Sequence, residues 1–519
     1  MGRSNNRWNW TAGRSVGRGR GRRLGWGALA VAALGVLGGC ETRPPVELRT
    51  EACSGTPALQ GVSYLRWRVT GEGMPPREHF TPVEVGASGV PALPPGKGRV
   101  VEVRGYTAMP RQGGRVVAVG RSHPFEVPGS GEVPTVAIAL RRVGEFVRPR
   151  LGQGCGGLGE ARAGHTATLL EDGRVLLAGG VRLGADGKPA TVSTVEVFEP
   201  ATGSLERVPA LDSARAFHTA TRLPGGKVLL VGGEEETPEG TRPLASARVL
   251  DVTAGTTTPV EGFQARGHHA AAADASGRVL VVGGVGVNGE VVSEAEGYDA
   301  ATGRSFQVGT PVRRVGMGVL PVGDGRRIAV VGGSDGTTLV PEVLYFSYQG
   351  DTFVAEDTGE RLREPRRDAA LVPFGGPGRL LYVGGHSSAG AARTDTLLAS
   401  SQIVSPDAAS RQGQGPQIFA RSGPCAVALQ DGRVLTLGGW GNSRLGELAS
   451  DARGELFVPG PEGGAAGLLG LPGLERSRHQ HTCTALDDGS VLIAGGLEEE
   501  GTRRTTLDDL LLYMPVPLD

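Results

Sequence analysis

Short apolar runs that end in a double glycine punctuate the C-terminal two thirds of the chain. The pairs fall at Gly179-Gly180, Gly232-Gly233, Gly283-Gly284, Gly332-Gly333, Gly384-Gly385, Gly438-Gly439 and Gly495-Gly496, so successive copies lie 49 to 57 residues apart. In the first copy, "GHTATLLEDGRVLLAGG", the stretch "HTATLL" alternates and Asp172-Gly173 supplies the positive backbone angles of a tight hairpin. "RVLLAGG" then returns as a second strand. Its consecutive apolar residues Val175, Leu176, Leu177 and Ala178 predict burial on both faces, which a strand gains when its sheet is packed between two others. After a variable loop, "STVEVFEPATG" and "SLERVPAL" predict a third strand and a shorter outer one, and "EAEGYDAATGRSFQV" is the same pair in the third copy.

Two further markers keep phase with the glycines. An Arg three residues before a His-like position falls at Arg162, Arg215, Arg266, Arg314, Arg421 and Arg478, with Arg366 one place off. A Gly-containing turn precedes the double Gly, as at Asp172-Gly173, Gly225-Gly226, Ser276-Gly277, Asp431-Gly432 and Asp488-Gly489. Three markers in phase over seven copies define an internal repeat of about 50 residues.

The ordered set of Arg, His-like position, Gly turn, double Gly and following aromatic (Phe198, Tyr298, Tyr345) resembles the kelch repeat. The resemblance covers roughly 70% of the chain and implies an all-β fold with a seven-bladed β-propeller. One departure is that the Trp usual on the family's last strand is absent, with Leu205, Phe306 or Phe353 near its place. The last copy ends at "TTLDDLLLYMPVPLD" with no room for a fourth strand, so "GEFVRPR", Gly144 to Arg150, is predicted to supply it and close the ring.

Residues 53–143 have a different rhythm. "SYLRWRV", "RVVEVRGY", "RVVAVGRSHPFEV" and "PTVAIALRRV" alternate between Pro/Gly-rich turns and predict a small Ig-like or fibronectin-like β-sandwich. The expected organisation is therefore a leader at 1–39, a tether at 40–52, the sandwich at 53–143 and the propeller at 144–519.

The leader carries seven arginines and no acid before the apolar run "LGWGALAVAALGVL". That run, Leu24 to Leu37, is 14 residues, short of the roughly 20 that span a bilayer. It ends in "LGGC", which resembles a bacterial lipobox and implies cleavage before Cys40 and acylation of that residue. A membrane partner held through a lipid anchor at Cys40 follows, in a bacterial envelope. Glu41 in place of an inner-membrane retention Asp favours the outer membrane.

The whole chain holds 54 basic and 54 acidic residues, so loss of the seven leader arginines leaves a net charge of −7. With no basic block and no aromatics set among basic residues, nucleic acid is excluded as a partner.

Four cysteines remain in an oxidising compartment, and three pairings are open. Cys425 and Cys483 sit at opposite parity on equivalent strands of adjacent copies, so they point toward each other or directly away. The preferred pairing is Cys425 with Cys483 and Cys53 with Cys155, the latter clamping sandwich to propeller; Cys155 with Cys483 is the rival. Cys483 lies two residues after His481, but none of the four sits in a CxxC motif or a Cys/His cluster of the metal-binding kind, so no metal and no cofactor is expected.

His165, His218, His269 and His481 recur at one position. Their absence from copies four to six reads as a structural histidine that satisfies a loop carbonyl, in preference to a ring of metal ligands at a channel mouth. The arginines are read as binding carbonyls or an acid of the adjoining loop, with a ring for an anionic glycan as the alternative. Copper-radical oxidases similar to galactose oxidase need a Tyr cross-linked to Cys and a Tyr-His pair, and the sequence has no such pair. No sialidase box, G-x-S-x-G elbow or H-E-x-x-H helix appears. The expectation is thus a non-enzymatic module binding a protein or glycan through the loops that follow each double Gly, with a diverged oxidase-like or glycan-cleaving enzyme as the alternative.

Overall fold

The computed structural model describes residues 41–518 apart from 152–153, 210, 391–392, 408–417, 444–445 and 461–464. The leader and Cys40 lie outside the described residues. No helix among those described is long and apolar enough to cross a membrane.

Seven small antiparallel sheets follow one another from residue 166. Their innermost strands are Thr166–Leu169, Thr219–Leu223, Ala270–Ala273, Gly318–Val322, Ala370–Pro373, Cys425–Ala428 and Thr482–Ala485, and the sheets are numbered one to seven in that order. Each innermost strand packs against the next, and that of the seventh packs against that of the first. The arrangement is all-β and propeller-like. Six sheets have four strands and the fifth has three among the described residues.

Burial explains the consecutive apolar runs. In the first sheet, Leu176 and Ala178 join Val228 and Leu230 of the second sheet in one core, while Val175 and Leu177 join Leu492 and Ala494 of the seventh in another. Every junction between neighbouring sheets has such a core, so each second strand must be apolar on both faces. The outer strand of the seventh sheet is Phe146–Val147, which pairs with Leu510–Tyr513.

The double glycines and arginines form the frame between sheets. Arg162 donates to the Gly179 carbonyl of its own sheet at 3.0 Å, and the Gly180 N–H donates to the Arg215 carbonyl of the next at 2.8 Å. The same link continues around the molecule to Gly496, whose N–H donates to the Arg162 carbonyl at 2.8 Å. Gly179 has φ +62° and a Cβ there would run into the Arg215 carbonyl, so both the conformation and the approach require glycine. Arg366, one place off in sequence spacing, donates to the Gly384 carbonyl like the other six.

Residues 41–143 form a separate core around Trp67, whose indole N–H donates to Thr81 Oγ1 at 3.1 Å. A six-stranded sheet is completed by a parallel pair, Val46–Arg49 with Val136–Ala139. This corrects the tether expected at 40–52. Pro44-Pro45 reads as a linker, but Val46 and Leu48 alternate with Glu47 and Arg49, and Val46 is buried in the core.

The domain docks on the hairpin turns of the propeller-like ring. Arg141 pairs with Asp488 and donates to the Pro200 carbonyl, Arg49 donates to the Thr202 carbonyl at 2.9 Å, and His123 lies 3.0 Å from Asp487. Cys53 and Cys155 are disulfide-bonded across the same junction.

Candidate functional site

Residues 41–143 sit against the turns of the first, sixth and seventh sheets, and the opposite face, which carries the loops after the double glycines, is where a site can be built. On the chain axis, the residue before each His-like position is left-handed: Gly164, Phe217, His268, Gly316, Asp368, Gly423 and Gln480 all have φ between +53° and +68°. Their backbones form a collar. The Phe217 N–H donates to the Gly164 carbonyl at 2.8 Å, His268 to Phe217 at 3.1 Å, Asp368 to Gly316 at 2.8 Å, Gly423 to Asp368 at 2.7 Å, and Gly164 to Gln480 at 2.9 Å.

Four of the seven are not glycine, and a left-handed non-Gly residue costs of order 1 kcal/mol. The three glycines show what the backbone prefers here; the other four present side chains at the axial mouth. Phe217 stacks on His268 at 4.2 Å between ring centres, and His268 Nε2 lies 3.4 Å from Glu234 Oε1.

A cavity of about 250 Å³ opens beside the collar, lined by Phe217, Gln480, Glu234, Trp440, His479 and Arg504 among others. Trp440 stacks on His479 at 3.8 Å. His479 Nδ1 shares a 2.9 Å hydrogen bond with Ser450 Oγ, while its Nε2 is buried and has no protein partner. Burial lowers its pKa to about 3, so the ring is neutral and offers a donor or acceptor without charge. The cavity continues outward into a cleft of about 650 Å³ that includes Glu160, Arg182, Arg207, Arg504 and Thr506. Its walls are the hairpins that follow the double Gly in the first and seventh sheets.

The histidines singled out from sequence lie below this mouth. His165 Nε2 shares a 3.0 Å hydrogen bond with Thr482 Oγ1, His218 Nε2 one of 3.0 Å with Thr166, and His269 Nε2 one of 2.9 Å with Thr219. Their partner is thus a hydroxyl of the preceding sheet, which corrects the expected loop carbonyl. Burial lowers His165 and His269 to about 3 and His218 well below its usual value, so all three are neutral.

The arginines divide by partner. Arg266 and Glu296 are both fully buried and 2.8 Å apart, and Arg162, Arg421 and Arg478 have Glu196, Glu455 and Asp509. Arg366 has both Glu364, at 2.6 Å, and Ser400; Arg215 uses Ser246 instead of an acid, and Arg314 has carbonyls of Gly332 and Glu342, with burial lowering its pKa to about 10. None of these side chains reaches the mouth.

Cys425 and Cys483 are disulfide-bonded between the sixth and seventh sheets, and His481 lies against them. The cluster was not legible in the sequence because Cys425 comes from a different sheet than His481 and Cys483. The collar and cavity were also missed. The only signal for them was the exchange of Gly164, Gly316 and Gly423 for Phe217, His268, Asp368 and Gln480 at one repeat position.

No protein-family model matches the chain. Alpha-scruin of Limulus polyphemus is 31% identical over 138 residues, which is 26% of this chain and 15% of that protein. The chain thus matches only a small part of that relative's length. Among solved structures, a fungal alcohol oxidase of the AA5 family, in complex with copper, matches with a TM-score of 0.52 at 16% identity, covering 69% of this chain and 76% of that one. The structure of YjhT matches with a TM-score of 0.42 at 13% identity, over 69% of this chain and 95% of that one. The comparisons support a kelch-type, all-β fold.

The oxidase likeness corrects the expectation of a non-enzyme: the same fold carries a copper alcohol oxidase, so missing motifs do not set this chain apart from enzymes. Copper itself does not fit the axial mouth. The residues lining the cavity include neither Tyr nor Cys, and among the described residues the group of three metal-type donors lies elsewhere, at Cys425, His481 and Cys483.

Proposed function

We propose that the chain is a lipid-anchored, seven-bladed kelch-type β-propeller on a small β-sandwich stalk, which takes a hydroxyl-rich glycan at its axial mouth on a bacterial envelope. The observation that carries this is the mouth: strained non-Gly residues of the collar sit beside Trp440 and the unpartnered Nε2 of His479. An aromatic face with a neutral donor-acceptor suits the apolar face and hydroxyls of a sugar ring. Arg182 and Arg504 of the adjoining cleft are paired with Glu160 and Glu499, which leaves Arg207 to favour a glycan that carries an acid group. The lipid anchor at Cys40 and the outer membrane rest on the leader sequence.

A glycan array followed by titration calorimetry tests the site: Trp440→Ala abolishes binding if the reading holds, and unchanged binding rejects it. Incorporation of labelled fatty acid into the wild type and not into Cys40→Ala tests the anchor.

A second reading, catalysis on a glycan at the same mouth, is favoured by the oxidase likeness and by the His268–Glu234 pair, which is placed to exchange a proton with a bound hydroxyl. Product analysis of bound glycans, with His268→Gln as the control, separates it from binding alone.

A further inference from the structure

In three sheets the recurrent His donates to or accepts from a Thr hydroxyl of the preceding sheet, at Thr482, Thr166 and Thr219. The seventh sheet breaks the pattern. The residue that stands where that Thr would be is Cys425, so His481 has no hydroxyl to meet; both of its ring nitrogens are buried without a partner, at 8% exposure. The position two after the His, alanine at Ala167, Ala220 and Ala271, is here Cys483. Two substitutions in different repeats have thus replaced a hydroxyl and a methyl by thiols around one unsatisfied imidazole. The ligand atoms of all three residues lie within 4.8 Å of one another.

We propose that reduction of the Cys425–Cys483 disulfide creates a three-coordinate Cys₂His site for monovalent copper. A dithiol reductant transfers two electrons and two protons to the disulfide, which opens to two thiols as the reductant closes to its own disulfide. Copper(I) then replaces the two thiol protons, which leave to solvent, and neutral His481 gives the third bond; the metal does not change oxidation state.

Soft thiolates select copper(I) or zinc, and zinc structural sites take four ligands. No fourth His, Cys, Asp or Glu joins this group among the described residues, and both cysteines are only half-buried, open to reductant and metal. Arg478 and Arg421 lie near enough to act on His481 electrostatically, and positive charge favours thiolate over thiol. In the oxidised chain the same three residues form a staple between the sixth and seventh sheets with an idle imidazole, which a purely structural disulfide does not need.

The test uses the full chain with Cys53→Ser and Cys155→Ser, so that one disulfide remains, and circular dichroism verifies the fold of each variant. After phosphine reduction and anaerobic desalting, copper(I) is titrated in competition with a chromogenic chelator. The expected result is one copper per reduced chain and none per oxidised chain. Cys425→Ser or Cys483→Ser should abolish binding, and His481→Ala should weaken it at least tenfold. X-ray absorption should show two sulfurs and one nitrogen. Equal copper binding by the oxidised chain, unchanged affinity in His481→Ala, or tighter binding of zinc than of copper(I) overturns the proposal. The oxidised-against-reduced comparison uses one polypeptide, so it stands even where a variant fails to fold.

Discussion

The third and fourth sheets sit side by side on the same frame and solve it differently. In the third, Arg266 is neutralised by buried Glu296 and His269 reaches Thr219; in the fourth, Arg314 is held by carbonyls alone and Met317 stands in the His position. Both sheets keep the double Gly and the carbonyl bond to it. The Arg and glycines are therefore the frame. The His position is a packing slot: beneath the first Gly of the preceding sheet lie His165, His218, His269, Met317 and His481, and in the fifth sheet, where that position is Ala369, Tyr382 of the second strand fills the space instead. An occupant that departs from the slot's needs, as at His481, marks a second demand on that place.

The largest way to break the comparison is to remove the acid of the third sheet. Glu296→Ala leaves a buried, unpaired Arg266 and should cost about 3–5 kcal/mol, whereas Glu342→Ala beside Arg314 removes an exposed pair with Arg361 and should cost under about 1 kcal/mol. Urea unfolding of the two variants measures both. Next, His218→Ala loses a packed ring and its bond to Thr166, for about 2 kcal/mol, while His218→Met, imitating the fourth sheet, should recover more than half of it.

Acid sharpens the same contrast. The folded-state pKa of His269 lies near 3, below the usual 6.5, so the unfolded chain binds more protons between those values. The contribution of this neutral histidine is present above about pH 6.5 and is lost as pH falls toward 3. His269→Met should therefore flatten the acid side of the stability profile by about one proton, or about 1.4 kcal/mol per pH unit. His123 has the opposite sign. Its hydrogen bond to Asp487 raises its pKa, so its contribution is full below the unfolded value and fades as pH rises through the raised one. Asp487→Asn should remove that alkaline-side loss, which a stability profile across neutral pH measures. The smallest effect is at the collar: Gln480→Gly relieves a φ of +53° and should gain about 1 kcal/mol in stability while weakening a ligand at the mouth.

The frame was legible in the sequence because each of its parts is local and repeats: the apolar run and the double Gly recur in phase in every copy, even where Thr436 interrupts the run of the sixth. Val46–Arg49 was misread because two prolines outweighed a four-residue alternation. The mouth was not legible for a different reason. Phe217, Trp440 and His479 come from the second, sixth and seventh sheets, and their meeting depends on ring closure and on the handedness of the backbone at Phe217 and Gln480. His481 and Cys425 likewise share no stretch of chain, so their spacing in sequence carries no ligand signature.

The claim that the axial mouth is the working site is tested most directly by hydrogen exchange on the full chain with and without the glycan that scores highest on the array. The account predicts protection centred on Phe217, Trp440 and Gln480, absent in Trp440→Ala. Protection confined to the outer strands or to residues 41–143, unchanged by that substitution, would contradict it.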